Sequence, residues 1–239
     1  ASLILDRPVY SMVTMTPHPD GHAAPLWETL APDVVLAFAA LPDEQFHAIV
    51  ATGAKTLVPG RDAAAEIERG LSFADGPRLQ VQRLVERGCR RIVFAGTSDS
   101  RLARLVAQRL ALTEATMLDL TGRQLEGRAD LNAVDAKAVL AGWVADGIDG
   151  IVAYNDDIAA LVISTAVRSG VRVPEDIALI GHDDTPLASL TVPSLTTIRV
   201  DVAGLGRFLA ELALSEINDT ARPDATVDVR AVLVPRESA

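Results

Sequence analysis

Aromatic side chains are scarce in this chain: two Trp, two Tyr and five Phe among 239 residues. Few rings are on hand to stack on a ligand. Cysteine is reduced to one, Cys89, which permits no internal disulfide and mildly favours a reducing cytoplasm. Cys89 follows Gly88 and precedes an apolar strand, the setting of a buried thiol rather than a reactive one. Excess basic charge is missing as well. The 22 Lys and Arg against 32 Asp and Glu leave a net charge of −10. Such a surface repels the phosphate backbone, so the chain by itself is not expected to bind nucleic acid. No apolar run approaches the ~18–20 residues that a membrane span requires. Ala1 to Pro8 carry no basic stretch followed by a long apolar core, and are expected not to be an uncleaved signal peptide. Also absent are a G-x-S-x-G elbow, a P-loop, an internal repeat and a low-complexity tract. Gly204-Leu205-Gly206 lacks the third glycine of a dinucleotide fingerprint and reads as tight helix packing.

What is present is ordinary in bulk and regular in order. Apolar residues make up 49% and charged residues 23%, the balance of a globular protein. The length allows two lobes, each with its own core. Apolar, β-rich runs are expected as strands at Val9–Met15, Val34–Phe38, Lys55–Val58, Arg91–Ala95, Ala115–Leu120, Gly150–Tyr154, Ile177–Gly181 and Thr196–Val200. Between most of them apolar residues recur at three- and four-residue spacing, the helical period. Leu79, Val81, Leu84 and Val85 mark one such helix. Ile158, Leu161, Val162, Thr165 and Ala166 mark another, and Leu205, Phe208, Leu209 and Leu212 a third. Asp43 is a candidate helix cap, and Gly88, Gly147 and Gly170 fall where left-handed residues end helices. Alternating strands and helices imply a parallel sheet covered on both faces. Ligands of such sheets bind at the carboxyl edge.

The polar residues that leave the strands there are the candidates for chemistry. Asn155 and Asp183 each follow an apolar strand. Asp75 precedes a Gly-Pro helix start. Arg104 lies in the first turns of a helix after the strand Arg91–Ala95. A carboxylate, an amide and a guanidinium around one crevice suit a polyhydroxylated or small polar ligand, each charged hydrogen bond contributing roughly 1.5–3 kcal/mol. The bland alternative for each is a helix cap or a surface ion pair. Phe38, Phe73 and Tyr154, near strand ends, are the stacking candidates. Asp183 and Asp184 leave a strand on opposite faces and should not share a proton. His182 is expected to be packed or hydrogen-bonded rather than a base. His18 and His22, with Pro17, Pro19 and Gly21 around them, read as a surface loop rather than a metal site.

The ordered set Asn155-Asp156, Val173-Pro174-Glu175-Asp176-Ile177, Gly181-His182-Asp183-Asp184, Pro193-Ser194-Leu195-Thr196-Thr197-Ile198 and Pro235-Arg236-Glu237-Ser238 resembles the effector-binding core of the lactose/galactose repressor family. Asp75-Gly76-Pro77-Arg78-Leu79 and Gly88-Cys89-Arg90-Arg91-Ile92 extend the likeness upstream. The resemblance implies a periplasmic-binding-protein-like fold, two doubly wound parallel-sheet α/β lobes joined by three crossovers. Lobe one would be 1–88 plus 202–228, with the family's first strand and helix missing or truncated. Lobe two would be 89–201 plus 229–239. It further implies a non-enzymatic sensor, cytoplasmic and homodimeric, without a cofactor and without a membrane partner. A small-molecule effector, a sugar or related metabolite, would sit between the lobes on Arg104, Asn155, Asp183 and Asp75, with Phe38 and Phe73 nearby. Operator DNA would be met only through a helix-turn-helix head absent from this sequence. An exported sugar-binding protein of a transporter is the alternative on the same fold.

Overall fold

The computed structural model describes residues 31–36, 41–57, 75–222 and 231–239, apart from the side chains of residues 101 and 104. The expected strand Val9–Met15 and the residues Phe38 and Phe73 lie outside them. Three sheets are seen among the described residues. β1 (Val34–Leu36) pairs in parallel with β2 (Lys55–Leu57), with α1 (Asp43–Ala51) between them in sequence. Asp43 is the first residue of α1, not its cap; the cap position is Pro42 and makes no side-chain bond.

The central sheet is parallel, in the order β4-β3-β5-β6. Its strands are β3 (Ile92–Thr97), β4 (Gly127–Leu131), β5 (Gly150–Ala153) and β6 (Ala178–Ile180). The connecting helices are α2 (Asp75–Glu86), which precedes β3, α3 (Ala103–Thr121), α4 (Ala136–Ala145) and α5 (Asp156–Arg168). Strand side chains alternate between two cores. Val93, Ala95, Ile151, Ala153 and Leu179 meet Leu140 and Trp143 of α4 and Ile158, Val162 and Ile163 of α5 on one face. Ile92, Phe94, Val152 and Ile180 meet Val81 and Leu84 of α2 and Val106, Leu110 and Met117 of α3 on the other. Both faces are covered, as the apolar strands require.

Beyond β6 come α6 (Pro186–Leu190), β7 (Thr197–Val200), α7 (Val202–Asn218) and β8 (Ala231–Val234), with β7 and β8 antiparallel. A third, smaller core joins Leu57 to Phe208 and Leu212 of α7, flanked by Val34, Leu36 and Val200. Gly88, Gly147 and Gly170 all have positive φ just past helices.

One expected strand is corrected here. Ala115–Leu120 is no strand. It is the last third of the 19-residue α3, whose buried stripe Val106, Leu110, Thr113 and Met117 continues through it. The strand in that region is β4, Gly127–Leu131, an edge strand with three exposed residues in five. In addition, α2 packs on the four-stranded sheet.

Candidate functional site

β3 is followed by a crossover to β4 on one side, and β5 lies on the other. The chain therefore reverses its winding between β3 and β5, and the crevice at their carboxyl ends is the natural ligand position of the fold. Four segments converge on it: α3, the β5–α5 turn, the β6–α6 turn and the start of α2.

Gln80 of α2 fastens the strand ends. Its Nε2 stands 3.0 Å from the carbonyl of Ala153, 2.9 Å from that of Gly181 and 3.3 Å from that of Ile180. Oε1 of the same amide is buried without a partner. Gln80 was not among the residues expected from the sequence. The signal was there, since position 80 falls between Leu79 and Val81 on a helix whose apolar stripe it interrupts.

Asn155 caps α5, its Oδ1 accepting from the amide of Ile158 at 3.0 Å. Asp156 is fully buried behind it. Its Oδ1 accepts from Oγ1 of Thr197 at 2.5 Å. Its Oδ2 accepts from the amide of Thr185 at 2.7 Å and from Thr185 Oγ1 at 3.1 Å. Its own amide donates to the carbonyl of His182 at 2.9 Å. One carboxylate thus knots the start of α5 to the turn after β6 and to β7. Burial pushes its pKa above 3.8, and the bonds from Thr197 and Thr185 offset part of that rise.

Asp183 and Asp184 have φ of 103° and 48°, left-handed values that Asp tolerates better than most residues. Asp183 donates its amide to the carbonyl of Ile198 at 2.7 Å. The two carboxylates turn to different partners, as expected of residues leaving a strand. Asp184, 8% exposed at its side chain, accepts from Arg199 Nε at 2.6 Å and Arg236 Nη2 at 2.7 Å. Asp183 is 47% exposed and lies 2.6 Å from Nδ1 of His182. His182 is buried, the packed and hydrogen-bonded residue foreseen. Burial pulls at the Asp183 pKa from above, yet the His182 bond and the charges of His182 and Arg109 outweigh it and hold the carboxyl below 3.8. Asp183 is therefore anionic, with one oxygen committed to the imidazole and the other side of the group toward solvent.

Among the described side chains, Arg109 is an arginine at this crevice. It sits on α3 among the core-facing positions, three residues after Val106 and four before Thr113. Its Nη1 donates to the carbonyl of Tyr154 at 2.9 Å, and its guanidinium carbon lies 5.2 Å from the centre of the Tyr154 ring. Desolvation lowers the arginine's pKa, while the charges of Asp183 and Tyr154 act the other way. Tyr154 is buried under this cation, so its ring faces Arg109 rather than standing free for a ligand.

The structure brings Asn155 and Asp183 together through the Asp156–His182 backbone bond. Asn155 spends its acceptor on a helix cap, which leaves its amide hydrogens for other work. Asp75 is the first, half-buried residue of α2, and no hydrogen bond described joins it to Asn155 or Asp183. Arg104 is the second residue of α3; its side chain lies outside the described residues.

Residues 81–239 match the model of the periplasmic binding protein-like domain. Among curated proteins, the HTH-type transcriptional regulator GntR of Pseudomonas aeruginosa is 34% identical over 172 residues, 71% of this chain and 50% of that protein. The regulator CelR of Thermobifida fusca is 30% identical over 182 residues, 72% of this chain and 53% of that one. The chain thus spans about half the length of these relatives. Among solved structures, a LacI family transcriptional regulator from Mycobacterium smegmatis superposes with a TM-score of 0.68 at 25% identity, over 90% of this chain and 81% of that one. A dimeric Lac repressor shares the fold with a TM-score of 0.65 at 24% identity, over 88% and 79%.

Proposed function

Because this chain belongs to the periplasmic-binding-protein-like domain family, we propose that it is the effector-sensing core of a bacterial transcriptional regulator of the lactose/galactose repressor type. The observation that carries this reading is the grouping of Arg109, Asp183 and Asn155 at the carboxyl edge of one parallel sheet, beside the switch between β3 and β5. The curated relatives reported above are transcriptional regulators. A small polar effector, a sugar or sugar derivative, enters between the lobe of β3–β6 and the lobe of β1, β2 and α7. Asp183 accepts from its hydroxyls and Asn155 donates its amide hydrogens. Closure on the effector reorients one lobe and, in the intact regulator, a DNA-binding head. The effector shifts that equilibrium only by its difference in affinity for the open and closed forms, typically about 1–3 kcal/mol of coupling.

The regulator works in the cytoplasm as a homodimer. Among the described residues no helix is long and apolar enough to cross a membrane. Support for the dimer comes from a groove between α5 and the segment after α6, where Ala160, Ile163, Val167 and Val192 are joined by the polar Ser164, Arg168 and Thr191. Beside it Leu190 and Val192 are 74% and 81% exposed, a clustering of large apolar side chains that marks interfaces. The acidic chain makes no operator contact of its own.

The test is a thermal-shift and calorimetric screen of the chain against sugars and sugar derivatives, repeated with Asp183→Asn. Saturable binding that the substitution weakens about tenfold or more, the size of a charge-assisted hydrogen bond, supports the reading. Binding indifferent to Asp183, or turnover of any sugar that Asp183→Asn abolishes, overturns it.

A further inference from the structure

Arg109 has a fork of five N–H donors, yet among the described residues only one acceptor is bonded to it, the neutral carbonyl of Tyr154 at 2.9 Å. No carboxylate of the described residues pairs with it. Asp183, the acidic group near enough to act on it, is bonded to His182 instead. A half-buried cation left with one neutral partner is an expensive arrangement, since burial removes the hydration of the charge. Neither Nη nor Nε of Arg109 is among the buried polar atoms that lack a partner. Its unspent donors are therefore not fully sealed in the core, though desolvation is the largest influence on the group. The Tyr154 ring beneath the guanidinium and its carbonyl fix the plane of the fork, so little further ordering is needed when a second partner arrives.

We propose that Arg109 makes the crevice selective for a polyhydroxylated anion, a ligand with a carboxylate or phosphate at the Arg109 end and hydroxyls at the Asp183 end. This rests on the effector-sensing reading above and narrows its ligand class. The half-exposed side of Asp183 accepts hydrogen bonds only, so it suits hydroxyl donors and repels the acidic group. The two residues therefore orient the ligand head to tail. A planar fork matches the two oxygens of a carboxylate or phosphate in bidentate fashion, which a neutral hydroxyl cannot reproduce.

The experiment uses matched probes on the full chain: D-glucose, D-gluconate and D-glucose 6-phosphate, with D-ribose, D-ribonate and D-ribose 5-phosphate. Each is titrated by calorimetry against wild type, Arg109→Gln and Arg109→Lys, with circular dichroism to verify folding. In at least one set an acidic member should bind about tenfold or more tighter than its neutral counterpart. Arg109→Gln should erase that preference, leaving acidic and neutral members equal in affinity, and Arg109→Lys should keep a preference of the same sign. An acidic member preferred over D-glucose or D-ribose identifies the source of the anion, carboxylate or phosphate. Equal binding of neutral and acidic members, or a preference that survives Arg109→Gln, overturns the inference. Neutral sugars binding alone, in an Asp183-dependent manner, defeats this inference and leaves the sensor reading intact. No binding by any probe counts against both.

Discussion

Nδ1 of His182 stands 2.6 Å from Oδ1 of Asp183, the imidazole buried and the carboxylate half-exposed. Burial pulls the imidazole below its ordinary 6.5; the Asp183 bond resists this and the charge of Arg109 adds to it. His182 is therefore neutral near pH 7, with its proton on Nδ1, donated to Asp183. Because the native value is depressed, the unfolded chain takes up its proton first as pH falls. Stability from this imidazole is complete above 6.5 and is lost as pH drops through the native value. The melting temperature of wild type is expected to fall as pH drops below 6.5, and that of His182→Asn, which keeps a donor but does not titrate, to fall less. Parallel melting curves of the two proteins across that range would contradict the account.

Asp156 is the most heavily bonded buried carboxylate of the site. Asp156→Ala leaves the donors of Thr197 and Thr185 without an acceptor in a dry setting. The expected loss is about 2–4 kcal/mol, read from urea unfolding as a lower midpoint at unchanged slope. Asp156→Asn keeps acceptor capacity and should cost less. Its raised pKa has the opposite sign to that of His182: ionisation opposes folding as pH climbs from 3.8 to the native value.

Gly181 has no room for a methyl group. A Cβ there would overlap Oδ1 of Asp156 and stand 2.8 Å from Cδ2 of Leu195, both fully buried. Gly181→Ala should destabilise by about 1–3 kcal/mol. Its combination with Asp156→Ala should cost less than the sum of the two, because the overlap vanishes with the carboxylate. Strict additivity in that double-mutant cycle would disprove the contact.

Gln80→Leu removes the donor shared by Ala153, Ile180 and Gly181 while keeping most of the side-chain volume. Carbonyls left without it at the ends of β5 and β6 should reduce stability by about 1–3 kcal/mol. Hydrogen exchange should rise at Tyr154 and Asn155, just past those ends, more than at Leu140 on the far face. Uniform exchange across the sheet would show that Gln80 does not hold the strand ends.

Much of this fold could be read from the residues because its strands are buried on both faces and its helices carry three- and four-residue stripes. The failures have physical causes. Ala-Thr-Met-Leu-Asp-Leu over 115–120 is apolar enough to pass for a strand, yet Met117 is buried and Leu118 is 58% exposed, the turn-by-turn contrast of a helix rim. Gly127–Leu131 lacks an apolar signature because β4 is an edge strand. Asp183 and Asn155 stood out in the sequence by their places at strand ends, and Arg104 by its place near a helix start. Arg109, two turns into the helix, carries no such positional mark. Counting from Val106 by helical steps would have found it, a charged residue on the stripe otherwise occupied by Leu110, Thr113 and Met117. Gln80 was hidden for the same reason: a polar residue on an apolar face looks like noise until its acceptors are known.

Among the described residues β6 has a strand, β5, on one side only. On its other side the amide of Leu179 donates to the carbonyl of Ser238 at 2.9 Å, and the Ser238 hydroxyl donates to the carbonyl of Leu179 at 2.7 Å. Some sixty residues of chain separate these partners. The outer margin of β6 is thus covered by a segment made long after the strand itself, so synthesis of β3 to β6 does not by itself complete the hydrogen bonding of this sheet.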